Sequence, residues 1–110
     1  MPKFIFLYKG PATAMSDMSP EEVKASGDQW GAWYGKLGSA IQDGGAPFAP
    51  GASVVDDGSS GTASDLSGYT VVEAADMNAA KAMTAGHPFL SEGKGKFAID
   101  VFELMPIPGM

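Results

Sequence analysis

The chain has 110 residues, a formal net charge of −6 at pH 7 and no cysteine. Its length favours a single domain over residues 1–110, and its negative charge disfavours a nucleic-acid partner because it repels phosphate groups. Without cysteine there are no disulfides and no thiolate metal sites. No apolar run approaches the roughly 20 residues that cross a bilayer, and the start lacks a signal peptide's apolar segment. We therefore expect a cytoplasmic protein with no membrane partner.

Residues 3–9 (KFIFLYK) form the first predicted strand. Both of its faces are apolar, which is typical of a central strand covered on both sides. A connecting loop is expected over residues 11–18. Ser19, Pro20 and Glu22 then predict a helix start, in which serine caps the helix, proline fits the first position and glutamate completes the reciprocal cap.

This helix is expected to run to about Gln42, with apolar residues at spacings of three and four along one face. The glycines inside it each cost on the order of 1 kcal/mol relative to alanine, and they allow two interpretations. Either they let the helix backbone approach a sheet or another helix closely, or they leave the helix loose or kinked. The apolar residues are Val23, Trp30, Trp33, Tyr34, Leu37 and Ile41, and the glycines are Gly27, Gly31 and Gly35.

The middle of the chain has the weakest pattern. Prolines 47 and 50 confine any strand in residues 46–55 to an irregular or edge position, with Val54 and Val55 as its ordered end. Residues 56–67 are rich in glycine, serine and aspartate, which favours a mobile loop or a poorly ordered hairpin tip. The aspartates there lack the spacing and the glycine of a calcium loop, so we expect no metal site.

The last third of the chain predicts strand, helix and strand. Residues 69–74 (YTVVEA) are aromatic and β-branched, Asp76 can cap a helix over residues 77–85, and Gly86 suits its end. Residues 96–104 resume a strand pattern. The whole order, β-α-β-β-α-β, predicts an α+β, ferredoxin-like fold with a four-stranded antiparallel sheet.

Two helices can cover only one face of such a sheet. The other face keeps apolar side chains from the strands at residues 3–9, 69–74 and 96–104. An exposed apolar patch of that size on a protein in water usually marks an interface. We therefore expect a homodimer in which two open sheet faces meet.

The segments SGYTVVEAADMNAAKAM and GHPFLSEGKGKFAIDVFELMP resemble the YCII-related family, also grouped with the DGPF-domain proteins. The first strand and the tryptophan-rich helix fit as well, and the likeness is weakest over residues 46–67. The resemblance implies a dimeric α+β barrel of ferredoxin-like subunits. It also implies that some members are enzymes with a His/Asp pair in a cleft, that a few act on chlorinated or hydroxylated aromatics, and that others have no settled activity.

This chain departs from the family pattern at two points. The DGPF tetrapeptide is absent, because Asp57 and Gly58 are followed by Ser59 and Ser60. The histidine of the enzyme-like members lies nearer the N-terminus, where this chain has none. Their His/Asp pair therefore does not carry over.

His87, the only histidine, is the sharpest candidate for proton transfer because imidazole titrates near neutral pH. It follows a predicted helix C-terminus, whose dipole favours the protonated ring. The alternative is a residue that bonds the last free carbonyls of that helix. Asp100 and Glu73 are the candidate acids, since a carboxylate among apolar neighbours must face solvent or lie in a polar cavity.

Aromatic side chains form the candidate ligand-binding set. They can make a wall for a flat apolar ligand, or they can pack as core or dimer contact. The chain has no phosphate-binding glycine motif and no nucleophile motif, so no cofactor is expected. The aromatic candidates are Tyr8, Trp30, Trp33, Tyr34 and Tyr69.

Two functions remain open from the sequence. The first is a cofactor-free enzyme for a small molecule, in which His87 and either Asp100 or Glu73 transfer protons in a barrel cleft. The second is a non-catalytic dimer that binds a ligand or acts as a protein-interaction or regulatory module. Both include a homodimer, and the enzyme also requires a small-molecule ligand.

Overall fold

The computed structural model describes residues 1–10, 19–90, 95, 97–106 and 108. These residues form an α+β fold with two α-helices and a four-stranded antiparallel sheet, as predicted. The predicted loop over residues 11–18 and the first residue of the last predicted strand, Lys96, lie outside them. The elements are β1 (Lys3–Lys9), α1 (Pro20–Leu37), β2 (Ile41–Asp43), β3 (Ser53–Val54), β4 (Ser60–Gly61), β5 (Leu66–Glu73), α2 (Met77–Met83) and β6 (Ala98–Leu104).

The main sheet has the strand order β2-β5-β1-β6, and each neighbouring pair is antiparallel. Since β5 and β6 are both antiparallel to β1, they run parallel to each other with β1 between them. This is the split β-α-β connection of the ferredoxin-like fold, and β1 is central as predicted. None of the described helices is long and apolar enough to cross a membrane.

Both predicted helix caps are present. The Ser19 hydroxyl accepts the Glu22 backbone N–H at 3.1 Å, and the Glu22 carboxylate accepts the Ser19 N–H at 3.3 Å. Asp76 accepts the Ala79 N–H at 2.8 Å at the start of α2. Each cap satisfies a backbone donor that has no partner within the helix, which fixes where the helix begins.

The predicted end of α1 near Gln42 is wrong, because α1 ends at Leu37. Gly38 follows with φ of 55°, a backbone conformation that glycine adopts without steric cost. A short 3-10 turn then delivers Ile41 to β2. In the sequence, Ile41 continues the helical spacing of the apolar residues of α1. In the structure it belongs to β2 and packs against the core from that strand.

The glycines inside α1 do not mark a close approach. A Cβ added to Gly27, Gly31 or Gly35 would meet no heavy atom of the described residues within 4 Å. The close-approach interpretation is therefore wrong, and a loose helix remains a prediction.

The prediction for the middle of the chain is partly wrong. The second strand of the main sheet is β2, before the prolines, and residues 46–55 contribute only an isolated bridge from Pro47 to Gly68 and the two residues of β3. β3 pairs with β4 in a separate small sheet, whose turn includes Gly58 with φ of 89°. A hairpin was one of the alternatives for this segment. β5 begins at Leu66, earlier than predicted, because the strand continues through Gly68.

Side chains of β1 alternate between the two faces of the sheet. Phe4, Phe6 and Tyr8 are at most 4% exposed and pack beneath the helices with Trp33. No described helix covers the other face, and we call it the open face. By the strand register it bears Lys3, Ile5, Leu7, Lys9, Tyr69, Val71, Glu73, Ala98, Asp100, Phe102 and Leu104.

Candidate functional site

His87 lies in the core beneath the helices, where it is 1% exposed. Its Nδ1 accepts the Phe89 backbone N–H at 3.0 Å, and its Nε2 is 3.1 Å from the Tyr8 hydroxyl. Because Nδ1 accepts a hydrogen bond, the proton of the neutral ring must be on Nε2, which donates to the Tyr8 oxygen. Both ring nitrogens are therefore in use.

A chain of hydrogen bonds continues from His87 across the buried side of the sheet. The Tyr8 hydroxyl is 2.6 Å from Thr70 Oγ1, and the Thr70 hydroxyl donates to the Gly44 carbonyl at 3.3 Å. Each group can donate its hydrogen to the next one, in the order His87, Tyr8, Thr70 and the Gly44 carbonyl. Such a satisfied polar network inside a core fixes one packing arrangement, since breaking any bond leaves a buried group without a partner.

Burial favours the neutral form of both titratable side chains in this hydrogen-bonded network. Desolvation lowers the pKa of His87 to about 4 and raises the pKa of Tyr8 to about 12, which the hydrogen bond to Thr70 only partly opposes. The expectation that the helix dipole favours the protonated ring of His87 is therefore wrong. The loss of water around the ring outweighs the dipole, because desolvation penalises the charged form.

The side chain of His87 also does not bond the last carbonyls of α2. Two carbonyls at and just after the end of α2 accept hydrogen bonds from α1 instead. Trp33 Nε1 donates to the Met83 carbonyl at 2.9 Å, and Lys36 Nζ donates to the Ala85 carbonyl at 3.2 Å. The end of α2 is thus tied to α1, and this contact holds the following residues, including His87, against the sheet.

Three of the predicted wall residues form a closed aromatic cluster around His87. The ring centroid of Trp33 is 4.1 Å from that of His87, Trp30 is 4.6 Å from it, and Tyr8 is 5.1 Å from it. Rings at these separations fill the space between one another. Tyr8 and Trp33 belong to the core, and Trp30 is partly buried against it.

Tyr69 belongs to the open face, apart from that cluster. Its hydroxyl donates to Asp43 Oδ2 at 2.9 Å, and this hydrogen bond to the carboxylate raises the pKa of Tyr69. Its ring stacks on Phe48 with centroids 5.8 Å apart. The two rings therefore form an aromatic edge beside the open face.

The two candidate acids also lie on the open face. Glu73 accepts the Gln42 amide at 2.9 Å and is 3.9 Å from the N-terminal ammonium group. Asp100 is half-buried and lies opposite Leu7, with Phe102 next to it on the same face. Within the described part of the chain, Asp100 makes no hydrogen bond or ion pair through its side chain.

The sheet separates the predicted catalytic residues. His87 lies on the helix side, and Asp100 and Glu73 lie on the other side, on strands that β1 keeps apart. The structure does not bring these three residues together. Among the described residues, no three histidine or acidic side chains form a group that could hold a metal ion.

Sequence reasoning missed Thr70 and the surface beside His87. Thr70 is a polar residue that shares the buried face of β5 with Val72. The available signal was the two-residue period of strand side chains, which places Thr70 and Val72 on the same face. The missed surface is a shallow depression of about 370 Å³ between α1 and the residues that flank His87. It is lined by Gln29, Ala32, Trp33, Lys36, Gly86 and Pro88.

Comparison with known proteins gives a family match and a fold match. The family model described as YCII-related domain matches residues 1–103. A solved structure of 5-chloro-2-hydroxyhydroquinone dehydrochlorinase (TftG) from Burkholderia phenoliruptrix AC1100, in complex with 2,5-dihydroxybenzoquinone, is similar with a TM-score of 0.53. The similarity covers 94% of this chain and 93% of that chain at 19% sequence identity, which shows a common fold. No curated protein matches the sequence significantly.

Proposed function

Since this chain belongs to the YCII-related family, we propose that it is a homodimeric, cofactor-free enzyme that acts on a small organic molecule at the open face. In this proposal Asp100 is the proton-transfer group. His87, Tyr8, Trp30 and Trp33 support the fold beneath the sheet and do not take part in the chemistry.

The observation that carries the proposal is the surroundings of Asp100. Its carboxylate lies on an apolar sheet face, opposite Leu7 and beside Phe102, with no partner among the described residues. A carboxylate in such a place destabilises the folded state unless it is solvated or paired. A ligand that supplies a hydrogen-bond donor or a transferable proton would provide the missing partner.

The surface around Asp100 supports a second copy of the chain as the cover. On the open face of β6, Phe102 is 54% exposed and Leu104 is 43% exposed. Ile5 and Val71 continue the apolar surface across the sheet. Because a second open face is equally apolar, two copies would shelter both, and Asp100 would lie in the water-depleted space between them.

The class of ligand is suggested by two features. TftG is a dehydrochlorinase bound to 2,5-dihydroxybenzoquinone, so the fold can serve an enzyme that handles a small oxygenated ring. In this chain, Tyr69 and Phe48 supply aromatic surface at the edge of the open face, and Asp43 fixes the Tyr69 hydroxyl. We therefore propose a hydroxylated aromatic or quinone as the substrate class.

Turnover with a panel of hydroxylated aromatics and quinones tests this function. For a substrate that is converted, Asp100→Asn should lower kcat by about 10²- to 10⁴-fold, the usual contribution of one acid–base group. Asp28→Asn, an equivalent change on the exposed surface of α1, should leave kcat unchanged. Equal kcat for wild type and Asp100→Asn would remove Asp100 from the chemistry.

A non-catalytic, ligand-binding dimer is the second candidate, and one observation favours it. The only histidine is buried with both nitrogens bonded, so the chain offers no ready imidazole base. If compounds of the panel bind but none is converted, and Asp100→Asn alters their affinity, the binding function is the correct one.

A further inference from the structure

The depression beside His87 lies on the helix side and is separated by the sheet from the open face. Its α1 wall consists of residues spaced by three, four and seven positions, which lie along one side of a helix. Its opposite wall is formed by the residues on either side of His87. The α1 residues are Gln29, Ala32, Trp33 and Lys36, and the opposite wall is Gly86 and Pro88.

The floor of this depression is rigid and apolar. Trp33 is 3% exposed, and its indole N–H is held by the Met83 carbonyl at 2.9 Å. Trp33 also packs on the buried ring of His87, with centroids 4.1 Å apart. A ligand that rests on this floor therefore meets a surface that is already in place, and little conformational entropy is lost on binding.

The polar groups of the depression favour an anion. Among the described residues that line the depression, Lys36 is the charged one and no carboxylate accompanies it. Its ammonium group has three N–H donors, and one of them is used by the Ala85 carbonyl at 3.2 Å. The remaining donors, together with the amide of Gln29, can bind a carboxylate at the rim.

We propose that this depression binds a small organic carboxylate with an apolar body, with the carboxylate on Lys36 and Gln29 and the body on Trp33 and Pro88. The volume of about 370 Å³ lies at the lower end of the range for small-molecule sites, which suits a ligand of one ring. The overall negative charge of the chain, −6, does not attract anions from a distance, so recognition depends on these direct contacts.

Benzoate is the probe for this site, with binding followed by amide and indole N–H shifts in NMR spectra. We expect saturable shifts at Gly86 and at the indole of Trp33. Lys36→Gln should weaken binding about tenfold, the usual effect of losing one hydrogen bond to a charged group. Lys24→Gln, a matched change on α1 outside the lining, should bind benzoate like the wild type.

Benzamide, which has the same ring without the charge, gives a test on the unaltered protein and should bind about tenfold more weakly than benzoate. Three results would each overturn the proposal: equal affinity for the two compounds, wild-type affinity in Lys36→Gln, or no saturable shift at Gly86 and Trp33. Because these measurements do not involve Asp100 or the open face, their outcome is independent of the enzymatic proposal.

Discussion

The buried ring of His87 gives the stability of the protein a defined dependence on pH. Burial lowers the pKa of His87 from 6.5 to about 4 in the folded state, whereas the unfolded chain keeps the ordinary value. Below pH 6.5 the unfolded state therefore binds more protons than the folded state, and acid favours unfolding. The stabilisation is complete above pH 6.5 and is lost as the pH falls towards 4.

The loss of stability in acid is set by the difference between the pKa values of His87 in the unfolded and folded states. Each unit of difference in pKa corresponds to about 1.4 kcal/mol. Lowering the pH from 7 to 5 should thus reduce the free energy of unfolding by about 2 kcal/mol, and continuing to pH 4 by about 3 kcal/mol. Because the chain has one histidine, no second imidazole contributes to this loss.

Urea unfolding of wild type and His87→Gln at pH 7, 6 and 5 measures the effect. Carboxylates titrate in both proteins, so the difference in slope belongs to His87. We expect the variant to lack the loss of about 2 kcal/mol. A ring signal of His87 that does not move between pH 8 and 5 in NMR spectra would support the same conclusion without a substitution. Parallel slopes, or a ring titration near pH 6.5, would refute the reasoning.

Three further predictions concern the folded chain and are read from urea midpoints. Tyr8→Phe leaves His87 Nε2 without its acceptor and should cost about 1–3 kcal/mol; an unchanged midpoint would contradict the hydrogen-bonded chain. Gly31→Ala should raise the free energy of unfolding by up to about 1 kcal/mol, because its new Cβ meets no atom of the described residues within 4 Å; a lower midpoint would contradict this. Gly45→Ala should strongly impair folding, because its Cβ would overlap the Tyr69 carbonyl. Gly58→Ala, also at positive φ but in open space, should cost only about 1–2 kcal/mol, and equal losses at the two glycines would contradict this account.

Local signals in the sequence predicted much of the fold. The reciprocal cap at Ser19 and the cap at Asp76 are side-chain chemistry acting within three residues, so they are visible without a structure. β2 was missed because three residues are too few for a strand pattern, and Ile41 continued the helical spacing. The helix ends because Gly38 has a positive φ. The sequence does not show the φ angle of a glycine that lies inside a helical pattern.

The candidate site depended on long-range packing, which the sequence does not show. Asp100 lies on the open face because it is opposite Leu7 in the strand register, and a shift of one residue would turn it to the other side. His87 follows a helix end, a position that is often exposed. It is buried because Trp33 and Lys36 draw the end of α2 onto α1, a contact between residues about 50 positions apart in the chain.

The central claim is that a second copy of the chain covers the open face. Sedimentation equilibrium of wild type, Val71→Glu and Val54→Glu tests it most directly. Val71 lies on the open face opposite Ile5, so a carboxylate there would be buried in the dimer without a partner. Val54 is 87% exposed on the hairpin and provides the matched control. We predict dimers for wild type and Val54→Glu and a folded monomer for Val71→Glu; a wild-type monomer at micromolar concentration, or a dimer that Val71→Glu leaves intact, would contradict the claim.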